Sequence, residues 1–121
     1  MPIKNILVVD DSPTDRQYLC DILAKSGYAV TAAESAEEAL AKVKQQRPDL
    51  VLMDVVMPGQ NGYQATRTLS KDNSTKDIPV IICTTKGQET DRVWGMRQGA
   101  RDYIVKPVSA ADLLAKISAL G

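Results

Sequence analysis

Asp10-Asp11, Asp54, Thr84-Thr85 and Lys106-Pro107 are the residues of this chain whose types and placement could carry chemistry, because each group follows directly on an apolar run. The runs are Ile6 to Val9, Leu50 to Met53, Val80 to Cys83 and Tyr103 to Val105, with a fifth at Ala29 to Ala32. Carboxylates gathered on one rim raise one another's pKa and do not all stay ionised without a cation. The set therefore implies a bound metal. All-oxygen ligands, few in number and beside solvent, suit Mg²⁺ with several retained waters better than a caged Ca²⁺. The chain contains no histidine, which excludes Ser/His and Cys/His nucleophile pairs, imidazole zinc sites and a histidine proton shuttle. Chemistry must run on carboxylates, lysine, hydroxyls and a metal.

Each residue taken singly has an ordinary explanation. Asp10 or Asp11 could be an acid favoured by the start of the following helix, Thr84 a strand hydroxyl, and Lys106 a surface lysine whose stem covers apolar area. Asp54 stands apart, since it ends the wholly apolar run Leu50-Val51-Leu52-Met53 and starts a loop containing Met57-Pro58-Gly59. The combination of types at the strand ends carries the specificity.

The elements that must position these groups are legible from periodicity and punctuation. Ser12 reads as an N-cap with Pro13 at the first helical position and Asp15 at the third, followed by Leu19, Ile22 and Leu23 on one face and Gly27 as the stop. Ser35 with Glu38 reads as a capping box opening a helix whose stripe is Ala39, Leu40 and Val43, until Pro48 forbids continuation. A third helix spans Gly62 to Lys71 with Tyr63, Thr66 and Leu69 inward. A fourth runs from Glu89 to Gln98 and stops at Gly99. The last starts at Ser109, with Asp112 in the capping position, and buries Leu113, Ile117 and Leu120.

Five strands alternating with five helices predict an α/β fold, (βα)5, with right-handed crossovers and a parallel sheet covered on both faces. Eight repeats would be needed to close a barrel, so the sheet is open and doubly wound. In such sheets ligands bind beyond the carboxyl ends of the strands, where the polar groups stand. The length of 121 residues suits one domain, 1–121, without an output domain. Fifteen basic residues balance fifteen acidic ones, which removes the long-range attraction to phosphate backbones expected of a nucleic-acid binder. No apolar stretch reaches the roughly 18 residues of a membrane span and the start has no secretory layout, so a cytoplasmic protein is expected. Cys20 and Cys83 lack metal-ligand spacing and read as reduced, buried packing residues.

Asp10-Asp11, the segment Asp54 to Gly62, Thr84-Thr85 and Lys106-Pro107 together resemble the motif set of the receiver domains of two-component response regulators. The gaps of 30 positions from Asp54 to Thr84 and 52 from Asp54 to Lys106 are also those of that family. The segments Asp54 to Leu69, Pro79 to Lys86 and Gln88 to Tyr103 further resemble the PilH-type regulators of type IV pilus twitching motility.

The resemblance implies the strand order 2-1-3-4-5, for which chemotaxis receivers are a known example. It implies that Asp54 accepts a phosphoryl group from a phosphohistidine of a histidine kinase, since this chain supplies no histidine. Asp10, Asp11, Asp54 and the backbone carbonyl of Val56 would hold Mg²⁺, and Lys106 and Thr84 would contact the phosphoryl oxygens. Thr84 and Tyr103 would form the switch, Tyr103 turning inward as the Thr84 hydroxyl is drawn to the new charge. Val56 and Lys86, two positions beyond Asp54 and Thr84, would tune the rate through water access. A downstream protein would dock on the fourth helix, fifth strand and fifth helix, including Arg92, Arg97, Tyr103 and Lys116. The Lys106-Pro107 bond would be cis, whereas base frequency alone favours trans. Gly95 either weakens the fourth helix, at about 1 kcal/mol relative to alanine, or permits its close approach to the sheet. Trp94 and Met96 read mainly as packing residues, with Trp94 also a plausible partner contact.

Three other functions compete. A flavodoxin-like flavin carrier would need a phosphate loop rich in hydroxyls and amides after the first strand, where Asp10-Asp11-Ser12-Pro13-Thr14-Asp15 would repel a bare phosphate. A Mg²⁺-dependent phosphohydrolase with Asp10 as nucleophile would need a substrate lid, and the chain has no such insertion. A receiver-like module that is never phosphorylated would have lost an acid or the lysine, and none is lost. Within the receiver reading, the phosphorylated form is either an effector or a phosphate sink.

Overall fold

The computed structural model describes residues 3–57, 59 and 61–120. Pro58 and Gln60, part of the turn expected after the third strand, lie outside the described residues. The elements are β1 (Asn5–Val9), α1 (Pro13–Lys25), β2 (Ala29–Ala33), α2 (Ala36–Gln45), β3 (Leu50–Met53), α3 (Gly62–Lys71), β4 (Val80–Thr84), α4 (Glu89–Arg97), β5 (Asp102–Val105) and α5 (Ala110–Leu120). All strand pairs are parallel, in the order β2-β1-β3-β4-β5.

Both faces of the sheet are covered, which requires inner strands that are apolar at every position. β1 after Asn5, β3 and β4 are buried throughout, whereas the edge strands β2 and β5 expose Ala29, Thr31 and Val105. Leu19 and Leu23 of α1 and Leu113 and Ile117 of α5 pack on one face, against Ile6, Val8, Leu50, Leu52 and Ile81. Ala36, Ala39 and Val43 of α2 and Ala65 and Leu69 of α3 cover the other, against Leu7, Val9, Val51 and Met53. A third cluster joins Val55, Tyr63, Ile82, Ala100 and Tyr103 beneath α4.

Helix starts follow local chemistry, with one change of partner. Ser12 Oγ accepts from Asp15 N at 3.3 Å and Ser35 Oγ from Glu38 N at 3.1 Å. The Glu38 carboxylate, however, takes the backbone N–H of Glu34 at 2.6 Å, one residue before the cap, so the expected reciprocal box at Ser35 is only half made. A complete box stands instead at α3, where Asn61 accepts from Gln64 N and the Gln64 amide oxygen accepts from Asn61 N. Ser109 Oγ accepts from Asp112 N at 3.3 Å, as expected for the last helix.

The free cysteines divide: Cys83 is buried in β4, but Cys20 is only partly buried, because it lies beside the α1 stripe of Leu19 and Leu23 rather than on it. Leu120 is likewise half-buried at the end of α5. α4 buries Gly95 alone, leaving Val93, Trp94 and Met96 exposed, so these are surface rather than core residues. No helix among the described residues is long and apolar enough to cross a membrane.

Gly95 permits close approach. A Cβ there would lie 2.9 Å from Ile82 Cδ1 and 3.1 Å from two carbons of the Tyr103 ring. Gly95→Ala would gain about 1 kcal/mol in helix propensity and lose about 1–3 kcal/mol to overpacking. A net loss near 1 kcal/mol is expected in urea titration, together with reduced amide protection of α4. A stabilised variant would mean that the helix lifts freely.

Candidate functional site

Sheet register brings the rim together. Val9 pairs with Met53, so the next residues of β1 and β3, Asp10 and Asp54, leave the sheet side by side. Asp54 N–H donates to Val9 O at 2.9 Å, fixing the start of its loop. Thr84 pairs with Val105, and Lys106 N–H donates to Thr84 O at 2.8 Å, which sends the lysine off the same edge of the sheet. Thr84 is the last residue of β4 rather than the first beyond it.

Carboxylate oxygens of Asp10, Asp11 and Asp54 all lie within 4.8 Å of one another, Asp10 and Asp54 buried and Asp11 exposed. The Lys106 ammonium donates to Asp10 Oδ2 at 2.7 Å and to Asp15 Oδ2 at 2.9 Å, and stands 3.6 Å from Asp54 Oδ2. Asp10 also accepts from Ser12 N at 2.9 Å through Oδ1, while Asp54 Oδ1 accepts from Val55 N at 2.8 Å. Arg16 donates to the carbonyl of Asp10 at 2.8 Å and pairs with Glu34. Acids outnumber the ammonium, and three of them converge with one exposed side. That donor set fits a hard divalent cation reached from solvent.

Charge crowding shows in the titration of Asp54, whose carboxyl is pushed up to about 6 by burial and by the neighbouring Asp10, against the pull of Lys106 and the Val55 N–H. Burial acts to lower the Lys106 ammonium, but its hydrogen bonds to Asp10 and Asp15 and the charge of Asp54 outweigh this and raise it. Lys106 therefore stays charged. Burial raises the Cys83 thiol, which leaves it a neutral packing group.

Thr84 is buried and its Oγ1 accepts the backbone N–H of Lys86 at 3.4 Å, a long bond that leaves the hydroxyl proton free to donate. Tyr103 points inward. Its hydroxyl donates to Lys86 O at 2.7 Å and lies 3.3 Å from the Tyr63 hydroxyl, which in turn reaches Asp91 O at 3.1 Å. Burial and the Tyr63 hydroxyl raise the Tyr103 phenol above its ordinary range. The ring packs toward α3 and α4. The Lys106-Pro107 bond is cis. Val56 and Lys86 are both exposed.

Asp15, Arg16 and Tyr63 are site residues that sequence reasoning assigned to a helix start or a packing face, or passed over. Asp15 carried a helix-start signal and Tyr63 a periodic one, but a partner 91 or 40 positions away leaves no local mark.

Residues 6–118 match the family model of the response regulator receiver domain. Protein PilH of Pseudomonas aeruginosa is 57% identical over 118 residues, covering 98% of this chain and 98% of that protein. The phosphate regulon transcriptional regulatory protein PhoB of Escherichia coli is 39% identical over 97% of this chain, which spans about half (51%) of that protein. Among solved structures, the chemotaxis protein CheY4 of Vibrio cholerae superposes with a TM-score of 0.91 at 30% identity, covering 98% of this chain and 99% of that one. A receiver domain protein of Methanospirillum hungatei gives 0.89 at 32%, covering 98% and 93%.

Proposed function

Because the chain belongs to the response regulator receiver domain family, we propose that it is a phosphoacceptor switch of a two-component system, phosphorylated on Asp54 by a histidine kinase. The observation that carries this reading is a buried carboxylate beside two further acids and a charged lysine 3.6 Å away. Phosphoryl transfer needs positioning and charge neutralisation more than acid or base groups. An oxygen of Asp54 attacks phosphorus, the phosphorus–nitrogen bond of the donor breaks, and its electron pair stays on the departing imidazole, which takes up a proton. Lys106 offers its ammonium to the transferred oxygens. Asp10, Asp11, Asp54 and the Val56 carbonyl would hold Mg²⁺, which when bound neutralises charge on both the acceptor and the incoming group.

The readout follows from the loop that Thr84 and Tyr103 share. Drawing the Thr84 hydroxyl toward new charge releases Lys86 N–H, and the Lys86 carbonyl is where Tyr103 is tied. The switch thus moves the β4–α4 loop around a tyrosine that is already inward. A target would meet α4, β5 and α5, where Trp94, Val105, Arg92 and Arg97 are exposed and Lys116 is held by Asp102 at 3.3 Å. The 57% identity to PilH over nearly all of that protein supports a receiver that acts by protein contact in type IV pilus twitching motility.

Intact-mass measurement after incubation with a small acyl phosphate and MgCl₂ tests the acceptor: one phosphoryl adduct is expected, absent from Asp54→Asn. No adduct, or an adduct mapped to another residue, rejects the reading. Exposed, apolar Val56 offers no group to orient a hydrolytic water, so Val56→Asn is expected to shorten the lifetime of the adduct several-fold, as a time course of its loss would show.

A further inference from the structure

Lys106 has three N–H bonds and three carboxylates around it, but its position serves only two of them. Hydrogen bonds go to Asp10 at 2.7 Å and Asp15 at 2.9 Å, while Asp54 is held only at 3.6 Å. Of these acids, Asp10 and Asp54 belong to the cluster able to hold a cation, and Asp15 stands outside it. Asp15 is anchored separately, in the first turn of α1, with its backbone N–H on Ser12 Oγ and its carboxylate where the helix dipole favours negative charge. When a cation recruits Asp10 and Asp54, Asp15 is the anchor of Lys106 that remains. The hydrogen bond to Asp15 holds the ammonium 3.6 Å from Asp54 Oδ2, beyond hydrogen-bond distance of the carboxylate that would carry a phosphoryl group.

We propose that Asp15 is a positioning residue that acts through Lys106, competing with the phosphoryl group on Asp54 for the ammonium and so weakening retention of that group. The inference rests on Asp54 being the acceptor, and it adds a control over phosphoryl retention that lies on α1, away from the cation. The competing pair is asymmetric: Lys106 is 11% exposed and Asp15 45%. A pair half open to solvent is worth a modest free energy, so removing Asp15 is expected to strengthen phosphoryl binding roughly three- to tenfold.

Calorimetric titration of beryllofluoride in saturating MgCl₂ tests this on the parent, Asp15→Asn, Asp15→Ser and Asp15→Glu. Asp15→Asn and Asp15→Ser are expected to bind about three- to tenfold more tightly, and Asp15→Glu to bind like the parent because it restores a carboxylate. Added salt should narrow the gap, since the pair is partly exposed. In a Lys106→Met background the gap should vanish, because the coupling runs through the ammonium. A merely structural Asp15 would lower the melting temperature without tightening binding. Equal or weaker binding by both neutral variants, or an unchanged gain without Lys106, overturns the proposal. A parent that binds no beryllofluoride and takes no phosphoryl adduct overturns the acceptor reading instead, so the two failures are told apart.

Discussion

Asp54→Asn is expected to stabilise the cation-free protein by up to about 3 kcal/mol near pH 7, an unusual gain for a substitution in a buried site. The folded carboxyl titrates at about 6, raised from 3.8, chiefly by burial and then by Asp10. An acid whose folded pKa lies above its unfolded value binds more protons when folded, so stability falls as pH rises from about 4 to about 6. At about pH 7 the parent bears the whole cost of an ionised, crowded Asp54. The amide bears none, and Lys106 keeps Asp10 and Asp15 as partners. Below about pH 4 both carboxyl states are protonated and the two proteins should melt alike. Saturating MgCl₂ should reverse the order at neutral pH, since a cation favours the ionised form. Thermal melts of both proteins across this range, with and without MgCl₂, check each point. A parent at least as stable as the variant at every pH without metal would show that Asp54 is not under charge strain.

Gly62→Ala is expected to cost about 2–4 kcal/mol and to abolish the MgCl₂-dependent rise in melting temperature. A Cβ at Gly62 would lie 2.0 Å from the carbonyl oxygen of Asp54, 2.8 Å from its carbonyl carbon and 2.9 Å from Val55 Cα. All three are backbone atoms, so no side chain can rotate away. Gly62 N–H also donates to Val55 O at 3.1 Å, which ties the start of α3 to the loop that holds Asp54. The helix or the Asp54 peptide must shift, and either movement disperses the carboxylates. Gly27→Ala is the contrast. That residue has a φ of +93° with nothing within 4 Å of the added methyl, so only backbone strain of about 1–2 kcal/mol is expected, with metal response intact. Urea titration gives the two stabilities. Comparable losses at both glycines would mean that the close approach at Gly62 relaxes cheaply.

How far the sequence could be read depended on whether the signal was local. The continuous apolar runs of β3 and β4 could only be strands buried on both faces, and Ser12-Pro13 and Ser109 announced helix starts that form as expected. Strand order was less accessible, because periodicity says which face is apolar and nothing about which strand lies beside which; it came from family resemblance and holds in the structure. Asn61 with Gln64 could have been read as a capping box, while Glu38 was free to choose the neighbouring N–H of Glu34.

Residue type and chain position suffice to predict an open parallel sheet and to place Asp10, Asp11, Asp54, Thr84 and Lys106 at the ends of its strands. What those groups do to one another depends on the folded arrangement. It gave Lys106 to Asp10 and Asp15 ahead of Asp54, set the Lys86 N–H against Thr84 Oγ1, and held Tyr103 inward between Tyr63 and the Lys86 carbonyl. Such choices depend on differences of an ångström or less between side chains from separate elements. Strand register and helix crossing set those distances, and no pattern of neighbours along the chain records them.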